Sequence, residues 1–167
     1  TLVLESGQAG QSLSPGTMID WTIKVSVSAD DNAGLALVSV DLAQDEANPA
    51  FFDIPPATTI PAEMANFDRP AGIANPGENG AASGYIGSQR GTPGQMNLVQ
   101  IGGGQNTFGA ALPGGTGMGE SADVVAGVGQ SGPQVVASGS FAAPATAGAY
   151  SFALQNGLVN VMTTAAT

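Results

Sequence analysis

Trp21-Thr22-Ile23-Lys24-Val25-Ser26-Val27 and Leu35-Ala36-Leu37-Val38-Ser39-Val40-Asp41-Leu42 are the two runs whose reading decides the fold. In the first, Trp21, Ile23, Val25 and Val27 alternate strictly with Thr22, Lys24 and Ser26. A period of two in β-branched and aromatic residues marks a half-buried strand. In the second, Val38, Val40 and Leu42 share one face, with Ser39 and Asp41 on the other. The link Ser28-Ala29-Asp30-Asp31-Asn32-Ala33-Gly34 consists of residues that bond their own backbone or accept positive φ. Together the runs predict a β-hairpin at the centre of a two-layer antiparallel fold.

Strand signals recur on both sides. Thr1 to Ser6 is a short apolar strand candidate, followed by the polar link Gly7 to Ser12 and the turn Ser14-Pro15-Gly16. Beyond Leu42, Asn48-Pro49 and Pro55-Pro56 preclude a long helix and leave Phe51, Phe52 and Ile54 as an apolar plug. Residues 71–120 hold 15 of the 25 glycines and only three charges. Here Tyr85-Ile86 and Gln95 to Ile101 read as strands, while Gly102-Gly103-Gly104 and residues 113–117 read as loops. From Ala122 onward, Val124, Val125 and Val128 form one predicted strand, and Val135 to Phe141, Ala149 to Leu154 and Leu158 to Met162 form three more. Asn156-Gly157 joins the last two. Eight or nine strands with no amphipathic helix predict an all-β antiparallel sandwich or jelly roll with long Gly-rich loops. Residues 1–12 form an extended N-terminal strand and tether, and residues 13–167 one sandwich domain. Its predicted interior holds Trp21, Ile23, Val25, Val38, Val40, Phe141, Tyr150 and Phe152.

Composition narrows the function classes. Charged residues are 10% of the 167, against about 25% ordinarily. Three basic residues face 13 acidic ones for a net charge of -10. Phosphate binding requires clustered Lys and Arg, so nucleic acid is not an expected partner, nor is an anionic membrane surface. No apolar run approaches the ~20 residues of a membrane-spanning helix. Cys and His are both absent, which removes disulfides, thiolate or imidazole metal sites and His-activated nucleophiles. A chain opening on Thr1 reads as a processed form whose leader has been removed. An acidic, Lys-poor, Cys-free chain rich in Gly, Ala, Ser and Thr reads as an exported, extracellular or cell-surface bacterial protein.

Few residues carry candidate chemistry. Asp30, Asp31 and Asn32, with Asp20 nearby in sequence, offer hard oxygen ligands of the kind calcium takes. Their spacing matches no EF-hand loop, and Asx residues shape a turn without metal, so no cofactor is expected. Asp41, Asp45, Glu46 and Asp53 read as a solvated acidic rim. Gly102 to Gly109 lacks the Lys and the following helix of a phosphate loop. Paired carboxylates are the only enzyme route left, and with 13 acids some pair arises by chance, so no enzyme is predicted. One Trp and two Tyr are a thin supply of sugar-stacking aromatics. No Asn-x-Ser/Thr sequon occurs, so a glycan would have to be carried on Ser or Thr.

Phe141-Ala142-Ala143-Pro144-Ala145-Thr146-Ala147-Gly148-Ala149-Tyr150-Ser151-Phe152 resembles the strand–Pro–Gly–Tyr–strand passage of secreted bacterial immunoglobulin-like and cohesin-like domains. In those domains the Tyr sits at a corner and anchors the following strand. The Trp21 strand leading into Asp-Asp-Asn-Ala-Gly resembles their first hairpin. The resemblance implies an exported sandwich used in adhesion, scaffolding or assembly. Thr1 to Ser6 reads in two ways. It is an edge strand of its own sheet, or it is donated to a neighbouring copy, burying Leu2 and Leu4 there with Val3 between them. The second way resembles the donor-strand assembly of bacterial surface fibres. It implies a subunit that polymerises head to tail into an extracellular filament. The first leaves a monomeric cohesin-like or carbohydrate-binding module of a secreted protein.

Overall fold

The computed structural model describes residues 1–44, 58–59, 61–65, 67, 86–89, 98–105 and 125–163. Among them are eight strands: β1 (Leu2–Glu5), β2 (Met18–Val25), β3 (Asn32–Gln44), β4 (Thr58–Thr59), β5 (Ile86–Gln89), β6 (Leu98–Gly104), β7 (Gln134–Ala142) and β8 (Phe152–Thr163). One short 3-10 turn, Ala62–Met64, is the only helical element described. All strand pairs are antiparallel. They form two four-stranded sheets, β1-β2-β7-β4 and β5-β6-β3-β8.

The expected alternation places the core. Trp21, Ile23 and Val25 of β2, with Val136, Ala137 and Phe141 of β7, face Leu35, Val38, Val40 and Leu42 of β3 and Ile101 of β6 across the sandwich. Met64 and Phe67 enter the same cluster. The rings of Phe141 and Phe152, one from each sheet, lie 5.1 Å apart at 49°, a tilted contact that adds to simple area burial. Of the predicted interior residues, Tyr150 is the exception. Its ring is only partly covered, and its hydroxyl donates to Thr146 O at 2.8 Å. It braces the 146–150 corner instead of filling the core.

Four other expectations are corrected. The Trp21–Leu42 stretch is not a hairpin, because β2 and β3 lie in different sheets and their link is an arch across the sandwich end. Alternation alone cannot separate the two, since either brings both apolar faces inward. What decides is the backbone after β2. Ser26 N donates to Thr1 O at 2.9 Å and Val27 N to Gly129 O at 3.1 Å, so it is already engaged elsewhere. Val125 and Val128 belong to no strand. The 125–130 segment is a turn that donates Gly127 N to Ala33 O and accepts Leu35 N at Val128 O, 3.0 Å.

Gly102, Gly103 and Gly104 are not loop but the end of β6, opposite Ser39, Val38 and Leu37. A Cβ on Gly102 would lie 2.1 Å from Val38 O at φ +122, so only glycine permits that pairing. Asn156-Gly157 joins no two strands. It is a bulge inside β8, where pairing steps from Ser39–Leu158 to Asp41–Gln155 with one extra residue. Phe51, Phe52 and Ile54, expected as an apolar plug, and most of the Gly-rich stretch lie outside the described residues.

The arch depends on Gly34. Its φ is +103, and a Cβ there would stand 2.7 Å from Gly127 N and 2.8 Å from Val128 N. Gly34→Ala therefore combines backbone strain with overlap and should cost on the order of 3 kcal/mol. Gly7, with nothing within 4 Å of an added Cβ, is the control, and Gly7→Ala should stay within about 0.5 kcal/mol. Urea melts of the two variants make the comparison; equal stability would show that the turn does not confine Gly34.

Candidate functional site

The calcium candidates are built into the arch as turn residues. Asn32 Oδ1 accepts Gly34 N at 2.9 Å and Gln130 Nε2 at 2.9 Å. Asn32 Nδ2 donates to Ser28 O at 2.9 Å. This is Asx-turn chemistry, in which the side chain mimics a backbone turn, and it occupies the oxygen a cation would need. Asp30 and Asp31 are exposed. Asp20 lies on β2 five residues before its end, roughly 17 Å along the strand from the arch, and so does not converge with them. Among the described residues, no group of three or more acidic side chains could hold a metal ion.

The acidic rim divides. Asp45, Glu46 and Asp53 fall outside the described residues. Asp41 is not solvated as expected but only 5% exposed. It lies on β3, where residues 40–44 are all buried, so both faces of the strand end are covered. Its Oδ2 accepts Asn156 Nδ2 at 2.7 Å across the β8 bulge. A buried carboxylate requires such a partner, because an unpaired one costs several kcal/mol.

Leu2, Val3 and Leu4 sit on β1, which closes onto β2 of its own chain. The register is Leu2–Val25, Val3–Lys24, Leu4–Ile23 and Glu5–Thr22. Thr1 and Ser26 exchange both backbone bonds, at 2.8 and 2.9 Å. Hydrogen-bonded pairs alternate along an antiparallel ladder, so Val3 and Glu5 face β2. The N–H and C=O groups of Leu2 and Leu4 point to the open edge. Their side chains are half-buried against the core, while Val3 is 43% exposed. The Lys24–Glu5 ion pair at 2.6 Å is largely exposed and adds little.

This edge has a neighbour. β1 and β8 bound the two sheets on the same side of the sandwich, where Leu2 Cδ1 would lie 3.1 Å from a Cβ on Gly157. β8 is 12 residues long and, as Phe152–Thr163, contains no charge and no proline. Leu158 and Val161 are exposed on it at 51% and 40%. Edge strands normally carry Lys, Pro or inward charge against unwanted pairing. Among the described residues, β8 itself carries only the bulge at Asn156, with two more register shifts on the facing β3, and β1 carries one charge, Glu5. The β1/β8 side is therefore a sheet edge suited to strand pairing.

Two glutamines had no sequence signal and matter locally. Gln105, 7% exposed, donates Nε2 to Leu35 O at 2.8 Å and Val125 O at 3.0 Å, and accepts Val125 N at 2.7 Å. Gln130 donates Nε2 to Asn32 O at 2.9 Å. They clamp the 125–130 turn onto the arch. An open groove beside Gln105, lined by Leu37, Val159, Asn160 and Val161, thus presents a glutamine whose amide atoms are already engaged.

No protein-family model matches the chain, and no curated protein or solved structure is significantly similar to it.

Gln105→Ala leaves Leu35 O and both backbone groups of Val125 without their amide partner. Loss of buried hydrogen bonds of this type should destabilise by about 1–3 kcal/mol. Hydrogen exchange checks the mechanism, with faster exchange expected at Val125, Gly127 and Leu35. Unchanged protection at these amides would remove the clamp role.

Proposed function

We propose that the chain is an exported structural subunit that assembles with copies of itself into an extracellular filament, exchanging β1 between neighbouring sandwiches. The observation that carries this reading is the make-up of the β1/β8 side. A four-residue strand with two half-buried leucines lies beside a long, uncharged edge strand that lacks charged or proline protection. An exchanged β1 would repeat in the next copy the same four register pairs that it makes at home. Exchange therefore costs no native contact, only the opening of the linker, as in domain swapping. Residues 6–17 span roughly 40 Å when extended, enough to cross a subunit junction. They are held by a few bonds, among them Ala9 N to Ser6 O at 3.3 Å and Asp20 N to Gln8 Oε1 at 3.1 Å, and are anchored at their far end by Gly16 N to Ala143 O at 2.9 Å and Ala143 N to Thr17 O at 2.7 Å. A head-to-tail exchange is heterologous and propagates unless its rotation closes a ring.

A second reading has its own support. The closed β1–β2 pair and the Tyr150–Thr146 corner are what a self-contained cohesin-like or carbohydrate-binding module would show. Trp21 is 4% exposed, so this module could not use its one tryptophan for sugar stacking.

The chain has no cysteine of its own, which permits a direct test. Val3→Cys and Lys24→Cys introduce one thiol on each member of a register pair. Cα atoms in a hydrogen-bonded antiparallel pair lie about 5.5 Å apart, within disulfide reach. After oxidation of the concentrated protein, the filament reading expects a ladder of covalent oligomers on a non-reducing gel. Purely intramolecular bridging, with a monomer by light scattering, would sink that reading and leave the module.

A further inference from the structure

We propose that Asn156–Gly157 is a deamidation site, and that its conversion to a carboxylate breaks the amide–carboxylate pair with Asp41 that secures β8 across its bulge. The conclusion does not depend on whether the chain assembles. Three observations meet at this dipeptide. Among the described residues, Asn156 is the only non-glycine with positive φ, at 51°, a conformation that stores backbone strain. Neither Asn156 nor Gly157 has a pairing partner in the β3 register, and both are exposed to water. Asn156 Nδ2 nevertheless donates at 2.7 Å to the buried Asp41 Oδ2.

The chemistry needs nothing but water. The backbone nitrogen of Gly157 attacks Cγ of Asn156 and gives up its proton. The Cγ–Nδ2 bond breaks, ammonia leaves, and a five-membered succinimide closes. Water then opens either carbonyl, giving aspartate or isoaspartate. Gly157 suits the attack because it has no Cβ to shield its nitrogen. In the aspartate product a donor is replaced by an anion facing an anion; in the isoaspartate product Cγ enters the main chain and the donor to Asp41 is lost. Two carboxylates at hydrogen-bond distance, one of them on the buried Asp41, repel each other where an amide had donated. An isoaspartate also lengthens the backbone at a bulge whose register is already offset. The consequence falls on β8 and on Leu2, which packs beside Gly157.

The test uses the intact chain, aged at mildly alkaline pH and body temperature, with peptide mapping by mass spectrometry. Asn79–Gly80 is the other Asn–Gly step in the sequence and shows whether conditions suffice. Asn160–Val161 and Asn32–Ala33 are the slower references. Asn156 should convert faster than Asn160 and Asn32, and the converted fraction should melt earlier. In parallel, Asn156→Asp should lower the melting midpoint by roughly 5 °C or more. Adding Asp41→Asn to it should restore most of the loss, because the amide and the carboxylate have then exchanged places. If Asn156→Asp alone does not fold, a folded double variant gives the same support. Three results would overturn the proposal: Asn156 intact when Asn79 has reacted, Asn156→Asp melting like the parent, or no rescue by Asp41→Asn.

Discussion

The sandwich depends on how one turn closes its open end. Because β2 and β3 part into different sheets, the arch between them leaves backbone groups that no strand satisfies. Residues 125–130 supply the partners: Gly129 O takes Val27 N just past the end of β2, and Val128 O takes Leu35 N of β3. A buried, unpaired backbone group costs about as much as a lost hydrogen bond, so this turn is a structural stitch between the sheets. The demand propagates outward. Gly34 has to lack a side chain for the turn to approach, and Asn32 shapes the arch while Gln105 and Gln130 hold the turn from two sides. The apolar faces of Trp21, Ile23, Val25 and of Val38, Val40, Leu42 can then meet.

A sheet edge is the second theme. β6 and β7 each lie between two strands, and β3 is covered on both faces at its C-terminal end. The strands β1 and β8 are left at one flank with outward-facing main chain. Sheet stability here comes from ladders and packing in a chain without disulfides. The same main-chain groups that build a ladder are the ones an edge offers to another strand. Apart from Glu5 on β1, this flank places leucine, valine and glycine where charge would keep other strands away. The bulge at Asn156 bends β8 locally, and its amide links that bend to a carboxylate on β3.

Much of the architecture was legible because period-two patterns are local. Trp21 to Val25, Val38 to Leu42 and Val135 to Phe141 all fall on strands whose apolar positions line the core. The failures share a different cause: they concern which segment meets which. An arch and a hairpin have the same alternating arms and the same Asx-rich link. Gly102 to Gly104 look like loop by composition, yet the close approach of Val38 O makes glycine the residue that allows the strand. Asn156-Gly157 carries a hairpin-turn signal, but the left-handed residue such a turn needs also fits a bulge. Val125 and Val128 have a β-branched composition, but the residues between and after them turn instead of forming a ladder. Strand alternation alone puts Asp41 on the solvent face; its burial depends on the cover and the partner that β8 provides through Asn156. Gln105 had no signal at all, since a lone glutamine after glycines predicts nothing until its three backbone partners are brought together. The β1/β8 flank was legible only in part: the apolar first strand stood out, its neighbour across the sandwich did not.

Trp21 gives the fold an optical property of its own. It is the only tryptophan, and its indole Nε1 is buried with no hydrogen-bond acceptor among the described residues. An indole kept dry and unbonded emits at the blue end of its range, and admitted water shifts that emission to the red. Trp21 follows directly in the β2 sequence from Asp20, whose backbone nitrogen is tied to the linker through Gln8. It also precedes Thr22, the last residue that β1 pairs. The colour of a single chromophore thus reports, without any label, whether that corner of the sandwich is shut.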